Sequence, residues 1–235
     1  MKILVLTLWC LVPVGLLAYH YGPGQEQMVL DQSAALLDGA KSKAASGDLS
    51  GAIAGYEETL AKLPKDKLAE ARRIRLELAK ARMENSELPK AREELAALAD
   101  ELAQDPNAHA GLRDETLSAL ASSRFYMTYL MKLEGLPDSE WEPEIEAARQ
   151  EQKLLVQRAS EAGDSAAAKK HGDDLEASIK LARMEPEELY GQAIPKQCNC
   201  CSGKCASNKP GTKPSQKPKD GRGAGAGAPA DGEGS

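Results

Sequence analysis

The sequence predicts an all-α fold, and three observations carry that prediction. Aromatic residues make up only 4% of the 235, while Ala and Leu dominate, a composition suited to closely spaced helices. No run of alternating β-branched residues occurs, so nothing reads as a half-buried strand. From about Glu26 to Ala182, apolar side chains recur at three- and four-residue spacing between Gly-Asp, Asn-Ser and Pro signals. The ends differ from this middle: residues 1–19 are apolar, and 206–235 are Pro, Gly and Lys with almost no apolar side chains. The organisation expected is an N-terminal segment with a turn over 1–24, a helical domain over 25–195, a cysteine cluster over 196–205 and a disordered tail over 206–235.

The chain opens Met1-Lys2 and then runs uncharged from Ile3 to Ala18, the pattern of a secretory leader. Pro13 and Gly15 break the apolar helix ahead of a cleavage site, whereas the bulk of Leu16 weakens that site. The length of the run is at the lower limit for spanning a bilayer. A transmembrane signal-anchor and a cleaved signal peptide both fit. Either one exports the body, because Lys2 stays inside while Glu26 and Asp31 follow the segment. The expected location is therefore membrane-anchored with the body outside the cytoplasm; secretion after cleavage is the alternative.

The helices follow in order. Val29, Ser33, Leu36, Ala40 and Ala44 share a face and give a first helix ending near Ser46. Gly47-Asp48 closes it and caps the next, since Gly reaches positive φ cheaply and Asp accepts from free N–H groups. Leu49, Ala52, Ile53, Tyr56, Leu60 and Leu63 line the second helix, which Pro64 stops. Leu68, Ala71, Ile74, Leu78 and Ala81 line a third, and Asn85-Ser86 makes the turn, with Ser86 as the cap. The 3-4-3-4 spacing of Leu88, Ala91, Leu95, Leu98 and Leu102 marks a fourth, ended by Asp105-Pro106. The fifth is long, with Leu112, Thr116, Leu120, Ser123, Met127 and Leu130 on one stripe and Phe125, Tyr126, Tyr129 and Met131 off it. After Gly135-Leu136-Pro137, Asp138 or Ser139 caps a sixth carrying Trp141, Ile145, Ala148, Gln152, Leu155, Ala159 and Ala162. Gly163-Asp164 repeats the earlier turn, and a seventh helix with Ala168, Leu175, Ile179 and Ala182 ends the stack before a short turn at Pro186–Tyr190.

The Gly47-Asp48 turn, Ala52, Tyr56 and the closing Pro64 resemble the second half of a tetratricopeptide (TPR) repeat. The first helix departs from that pattern at Gly39 and Lys43, as does Thr59 in the second. Ala91 and Leu95 echo Ala52 and Tyr56 after 39 residues, a longer step than the usual TPR spacing. The resemblance implies about three stacked hairpins plus a capping helix, and a scaffold that binds a protein or peptide along the side lined by first helices. In the second hairpin that helix carries Arg72, Arg73, Arg75, Lys80 and Arg82. Arg73 and Lys80, seven residues apart, share a face and are the partner-binding candidates, suited to an acidic segment or a carboxylate. The same charges also have Glu70, Glu77 and Glu84 as neighbours along the helix.

The formal charge of −6 is unevenly spread. Residues 196–235 hold seven Lys and Arg against three acids, a net of +4, which leaves −10 on the rest. An acidic body argues against nucleic-acid binding. Cys198, Cys200, Cys201 and Cys205 place four of the five cysteines within eight residues. Thiolates this close suit copper(I) or zinc, and C-x-C-C resembles a metallothionein fragment, but the paired C-x-x-C knuckles of zinc ribbons are absent. In an exported protein the same residues suit disulfides, preferably between non-adjacent cysteines. Apart from a metal at that cluster, no cofactor is expected. His20, His109 and His171 stand apart from nucleophile or ligand partners, and no G-x-S-x-G, H-E-x-x-H or P-loop pattern occurs. The chain is therefore expected not to be an enzyme but a membrane-tethered, extracytoplasmic scaffold for protein–protein interaction. The alternative is an exported copper- or zinc-binding protein acting through the cysteines.

Overall fold

The structure, a computed structural model, describes Trp9, Val12 and residues 23–190, without the side chains of residues 23–26. Eight helices lie among the described residues: α1 (Pro23–Ser46), α2 (Leu49–Lys62), α3 (Leu68–Glu84), α4 (Leu88–Gln104), α5 (Ala110–Leu133), α6 (Asp138–Glu161), α7 (Ser165–Arg183) and α8 (Pro186–Tyr190). Each of α1 to α6 packs on the next helix in sequence; α3 also touches α5, and α5 touches α8. Three hairpins, α1/α2, α3/α4 and α5/α6, are thus followed by the single helix α7. The expected N-terminal apolar helix, apart from Trp9 and Val12, lies outside the described residues, as do the cysteine cluster and the tail. Among the described residues no helix is long and apolar enough to cross a membrane.

The turns form for the reasons their chemistry dictates. Gly47 and Gly163 take positive φ (86° and 72°), a region closed to most side chains. Asp48 then accepts the N–H of Gly51 at 3.0 Å, and Asp164 that of Ala167 at 2.9 Å, so both Gly-Asp pairs stop one helix and cap the next. At the end of α5, Gly135 (φ 72°) donates to Lys132 O at 3.2 Å and Leu136 to Met131 O at 3.0 Å, a Schellman closure. Three boundaries differ from expectation. Helix α1 starts at Pro23, across the boundary drawn at residue 24, because Pro suits a first helical position. Ser86 is not a cap: it holds a left-handed φ of 65°, and Glu87 precedes α4. Pro137, not Asp138 or Ser139, precedes α6.

Three apolar clusters form the core. The first joins Ala40 of α1, Ala52, Ile53 and Tyr56 of α2, and Ile74, Leu78 and Ala81 of α3. Gly55 lets α1 and α2 approach, since a Cβ there would stand 2.8 Å from the Ala40 Cβ. The second joins Leu76, Ala79 and Met83 of α3 to the α4 seam and to Leu112, Ala119 and Leu120 of α5. Helix α3 therefore serves two clusters from two sides, where its sequence predicts a single stripe. The third gathers Tyr129, Trp141, Ile145, Leu181, Met184 and Leu189. Leu181 and Ser178 are the buried residues of α7 while Ile179 and Ala182 are half-buried, because the helix turns Leu181 toward Trp141.

Two leucines depart clearly from their expected stripes: Leu68, 49% exposed as the first residue of α3, and Leu130. Leu130 continues the buried stripe of α5 but is 39% exposed. Helix α5 has 24 residues and its neighbour α4 only 17, so α5 is longer by about 10 Å at the rise of an α-helix. The cluster that holds Leu88, the first residue of α4, ends on α5 at Tyr126 and Met127. One turn further, Leu130 packs on none of the three clusters.

Candidate functional site

The candidate surface begins on α3, where five basic residues stand on a helix that is apolar on two sides. Charge inside such a helix must find a partner, because desolvating an ammonium or guanidinium alone is prohibitive. Arg72 reaches Glu101 at 2.7 Å and Asp105 at 2.5 Å, and Arg75 shares Glu101 at 2.5 Å. Arg82, 3% exposed, bonds Glu57 of α2 and Glu94 of α4, with Glu87 at 3.6 Å. Lys80 bonds Glu77 at 3.0 Å and Glu115 of α5 at 2.6 Å. Hydrogen bonds from Arg72 and Arg75 hold the Glu101 carboxyl below its ordinary range, and Arg72 with the Asn107 N–H does the same for Asp105.

The two predicted partner-binding residues are therefore separated. Arg73 faces solvent and makes no ion pair among the described residues, but Lys80 is only 7% exposed and lies under α5. Seven-residue spacing puts them at one azimuth, and the crossing of α5 covers the Lys80 end. Only Lys80 pairs with one of the expected same-helix acids, Glu77; the arginines reach α2 and α4 instead.

A second charged layer joins α4, α5 and α6. Arg124 donates to Glu144 at 2.8 Å and to Glu151 at 3.0 Å, while Arg92 stands 3.3 Å from Glu144. Burial pushes the Glu151 carboxyl up to about 7 against the attraction of Arg124, and its second oxygen has no hydrogen-bond partner.

A third arrangement closes the far end. Lys132, 5% exposed, donates to Leu181 O at 3.2 Å and Ala182 O at 3.3 Å, with its ammonium 3.9 Å from the centre of the Trp141 ring. It caps the C-terminal carbonyls of α7 from α5, and burial lowers its pKa. Beside it lies a cleft of about 200 Å³ bounded by Leu136, Asp138, Met184 and Glu185. Because the ammonium is engaged on two carbonyls and a ring, this corner fastens α7 and α5 together.

Among the described residues no group of three His, Cys, Asp or Glu side chains is arranged to hold a metal ion. Cys198, Cys200, Cys201 and Cys205 lie outside those residues. His109 precedes α5 and is exposed; His171 is half-buried with Nδ1 3.2 Å from Gln152 Oε1. What fold and site define is a class, an all-α stack of helical hairpins fastened by ion pairs between helices. No family model, curated protein or solved structure matches the chain.

Proposed function

We propose that this chain is a non-enzymatic scaffold of the TPR-like class, tethered to a membrane by its N-terminal segment, that binds a protein or peptide partner outside the cytoplasm. The observation that carries the reading is the packing order. Hairpins touch their sequence neighbours, and the first helices α3 and α5 also touch, a packing order that supports a helical-repeat scaffold. The Gly47-Asp48 turn with Ala52, Tyr56 and Pro64 supports the TPR-like assignment, and the uncharged run from Ile3 to Ala18 supports the tether. The acidic body makes nucleic acid a poor partner.

The test is proximity labelling and cross-linked co-purification with the full chain in the cells that produce it. Reproducible protein partners are expected, lost when residues 25–195 are deleted and retained when Cys198, Cys200, Cys201 and Cys205 become Ser. No recovered partner overturns the reading. Recovery that depends on the cysteines, with copper or zinc bound to the purified chain, puts the metal-binding reading in its place. A reporter active only after export, fused after Ser235, is expected to be active.

A further inference from the structure

The scaffold reading leaves open where a partner sits, and α8 marks a seat that the chain fills by itself. This helix has only five residues, Pro186–Tyr190, fewer than a helix needs to hold together alone. Leu189, 1% exposed, is its one buried residue. It packs in the third cluster with Tyr129, Trp141, Leu181 and Met184, and the helix rests on α5. The Tyr190 hydroxyl donates to Leu133 O at 3.2 Å, at an exposed site. That oxygen belongs to the last residue of α5, where a helix leaves its carbonyls open to any donor. Glu187 and Glu188 face solvent. One leucine and one hydrogen bond thus work against the entropy of ordering the segment. Met184 before it is extended and buried in the cluster, which gives the segment a fixed pivot. The fit is also incomplete. Tyr129, 3% exposed, has a hydroxyl with no hydrogen-bond partner among the described residues, and α8 supplies it none.

We propose that α8 is a displaceable strap, an internal occupant of the seat on α5 that a segment of the partner protein takes in its place. The strap itself shows the chemistry of that segment: a leucine for the cluster, followed by a tyrosine whose hydroxyl reaches Leu133 O. A partner segment whose helix runs beyond five residues buries more than the strap does and so displaces it. The seat stays closed until it is outcompeted. This inference rests on the scaffold reading and names the partner segment and the regulation of its site.

The experiment uses the detergent-solubilised full chain and a fluorescein-labelled peptide of the strap's own sequence, residues 185–190. Anisotropy is expected to show the Leu189→Asp chain, whose strap is released, binding this peptide about ten-fold more tightly than the parent chain does. The same peptide carrying Leu189→Asp is expected to bind neither chain. Glu185→Gly combined with Pro186→Gly loosens the pivot and spares Leu189; it is expected to strengthen peptide binding in the same direction, and it decides the matter if Leu189→Asp fails to fold. Folded variants that bind the peptide no more tightly than the parent overturn the strap. So does a Leu189→Asp peptide that binds as well as the unaltered one. Capture of the native partner is expected to rise with the Leu189→Asp chain, and capture that stays level while the peptide binds removes the partner from this seat. No partner for parent or variant retires the scaffold reading, whereas the peptide result judges the strap by itself.

Discussion

Helices α3 and α5 are the first helices of consecutive hairpins and both send cations to their neighbours, yet they differ in length and in the polar groups they bury. Helix α3 has 17 residues, lies against apolar clusters on two sides, and sends Arg72, Arg75, Lys80 and Arg82 to acids on α2, α4 and α5. Helix α5 has 24 residues and buries Thr116, Ser123 and Thr128, whose hydroxyls donate to Leu112 O, Leu120 O and Arg124 O within the helix itself. Such hydroxyls satisfy themselves and need nothing from a neighbour. The more highly charged helix therefore offers less free charge than its sequence suggests, and the longer helix leaves Leu130 exposed in its last turn while Tyr129, Met131 and Leu133 pack on the third cluster. What a helix exposes follows from its length and from where its charges are answered, not from how many charges it carries.

The largest expected effect tests the covered side of the comparison. Leu76 on α3 is fully buried, and Leu76→Ala is expected to lower stability by about 2–5 kcal/mol through lost transfer free energy and the cavity left behind. Chemical denaturation of the 25–195 body within the intact chain measures it. A loss below about 1 kcal/mol would mean that α3 does not carry both clusters.

Next comes the layer beside α5. With its pKa at about 7, Glu151 holds a proton in the folded state that the unfolded chain has already lost above about 4.5. The folded state thus binds more protons across that window, so stability from this group is full at low pH and declines as pH rises through about 7. The span amounts to up to about 3 kcal/mol. His171, whose pKa burial pulls down, acts in the opposite sense near neutrality, so the comparison must be with Glu151→Gln. That variant keeps an acceptor for Arg124 and should melt with a flatter pH profile, standing above the parent at pH 8. Parallel profiles would show Glu151 to be ionised and solvated throughout.

Arg82→Met probes the charged fastening of α3. It removes the cation that Glu57, Glu87 and Glu94 share, at an expected cost of about 1–3 kcal/mol. Adding Glu57→Gln to it should recover part of the loss by removing one of the acids left without its cation. No recovery, or no loss at all, would place these carboxylates in water with no bond worth breaking.

Much of the fold was legible because it is local. The Gly-Asp turns need only their own two residues, and the α4 seam of Leu88, Ala91, Leu95, Leu98 and Leu102 is buried at every position. The run from Trp141 to Leu155 on α6 is buried as its spacing requires. The second apolar face of α3 was hidden because Leu76, Ala79 and Met83 alternate with Arg75, Lys80 and Arg82, which read as the solvent side. Only a fold that brings Glu57, Glu94 and Glu115 to those cations makes that face buriable, and no local spacing encodes it. The separation of Arg73 from Lys80 has the same origin. On α5 the apolar excess at Phe125, Tyr126, Tyr129 and Met131 was visible and these residues pack on two clusters, but a stripe states which face is apolar and not where the neighbouring helix stops.

The smallest expected effect mirrors the first. Leu130→Ala deletes the same atoms as Leu76→Ala, and on the same chemistry the two differ only in cover. Leu130 keeps 39% of its surface in water, so its truncation forfeits part of the transfer free energy and leaves no enclosed cavity to collapse. The expected loss is under about 1 kcal/mol, several times less than on α3. Because Leu130 packs on none of the three clusters, no cluster residue of α4 should sense the change. Amide exchange along α4 in the Leu130→Ala chain is then expected to match the parent, with faster exchange confined to the last turns of α5. A loss as large as that of Leu76→Ala, or exchange that spreads to α4, would show that the end of α5 is covered in solution, and the contrast between the two helices would fall with it.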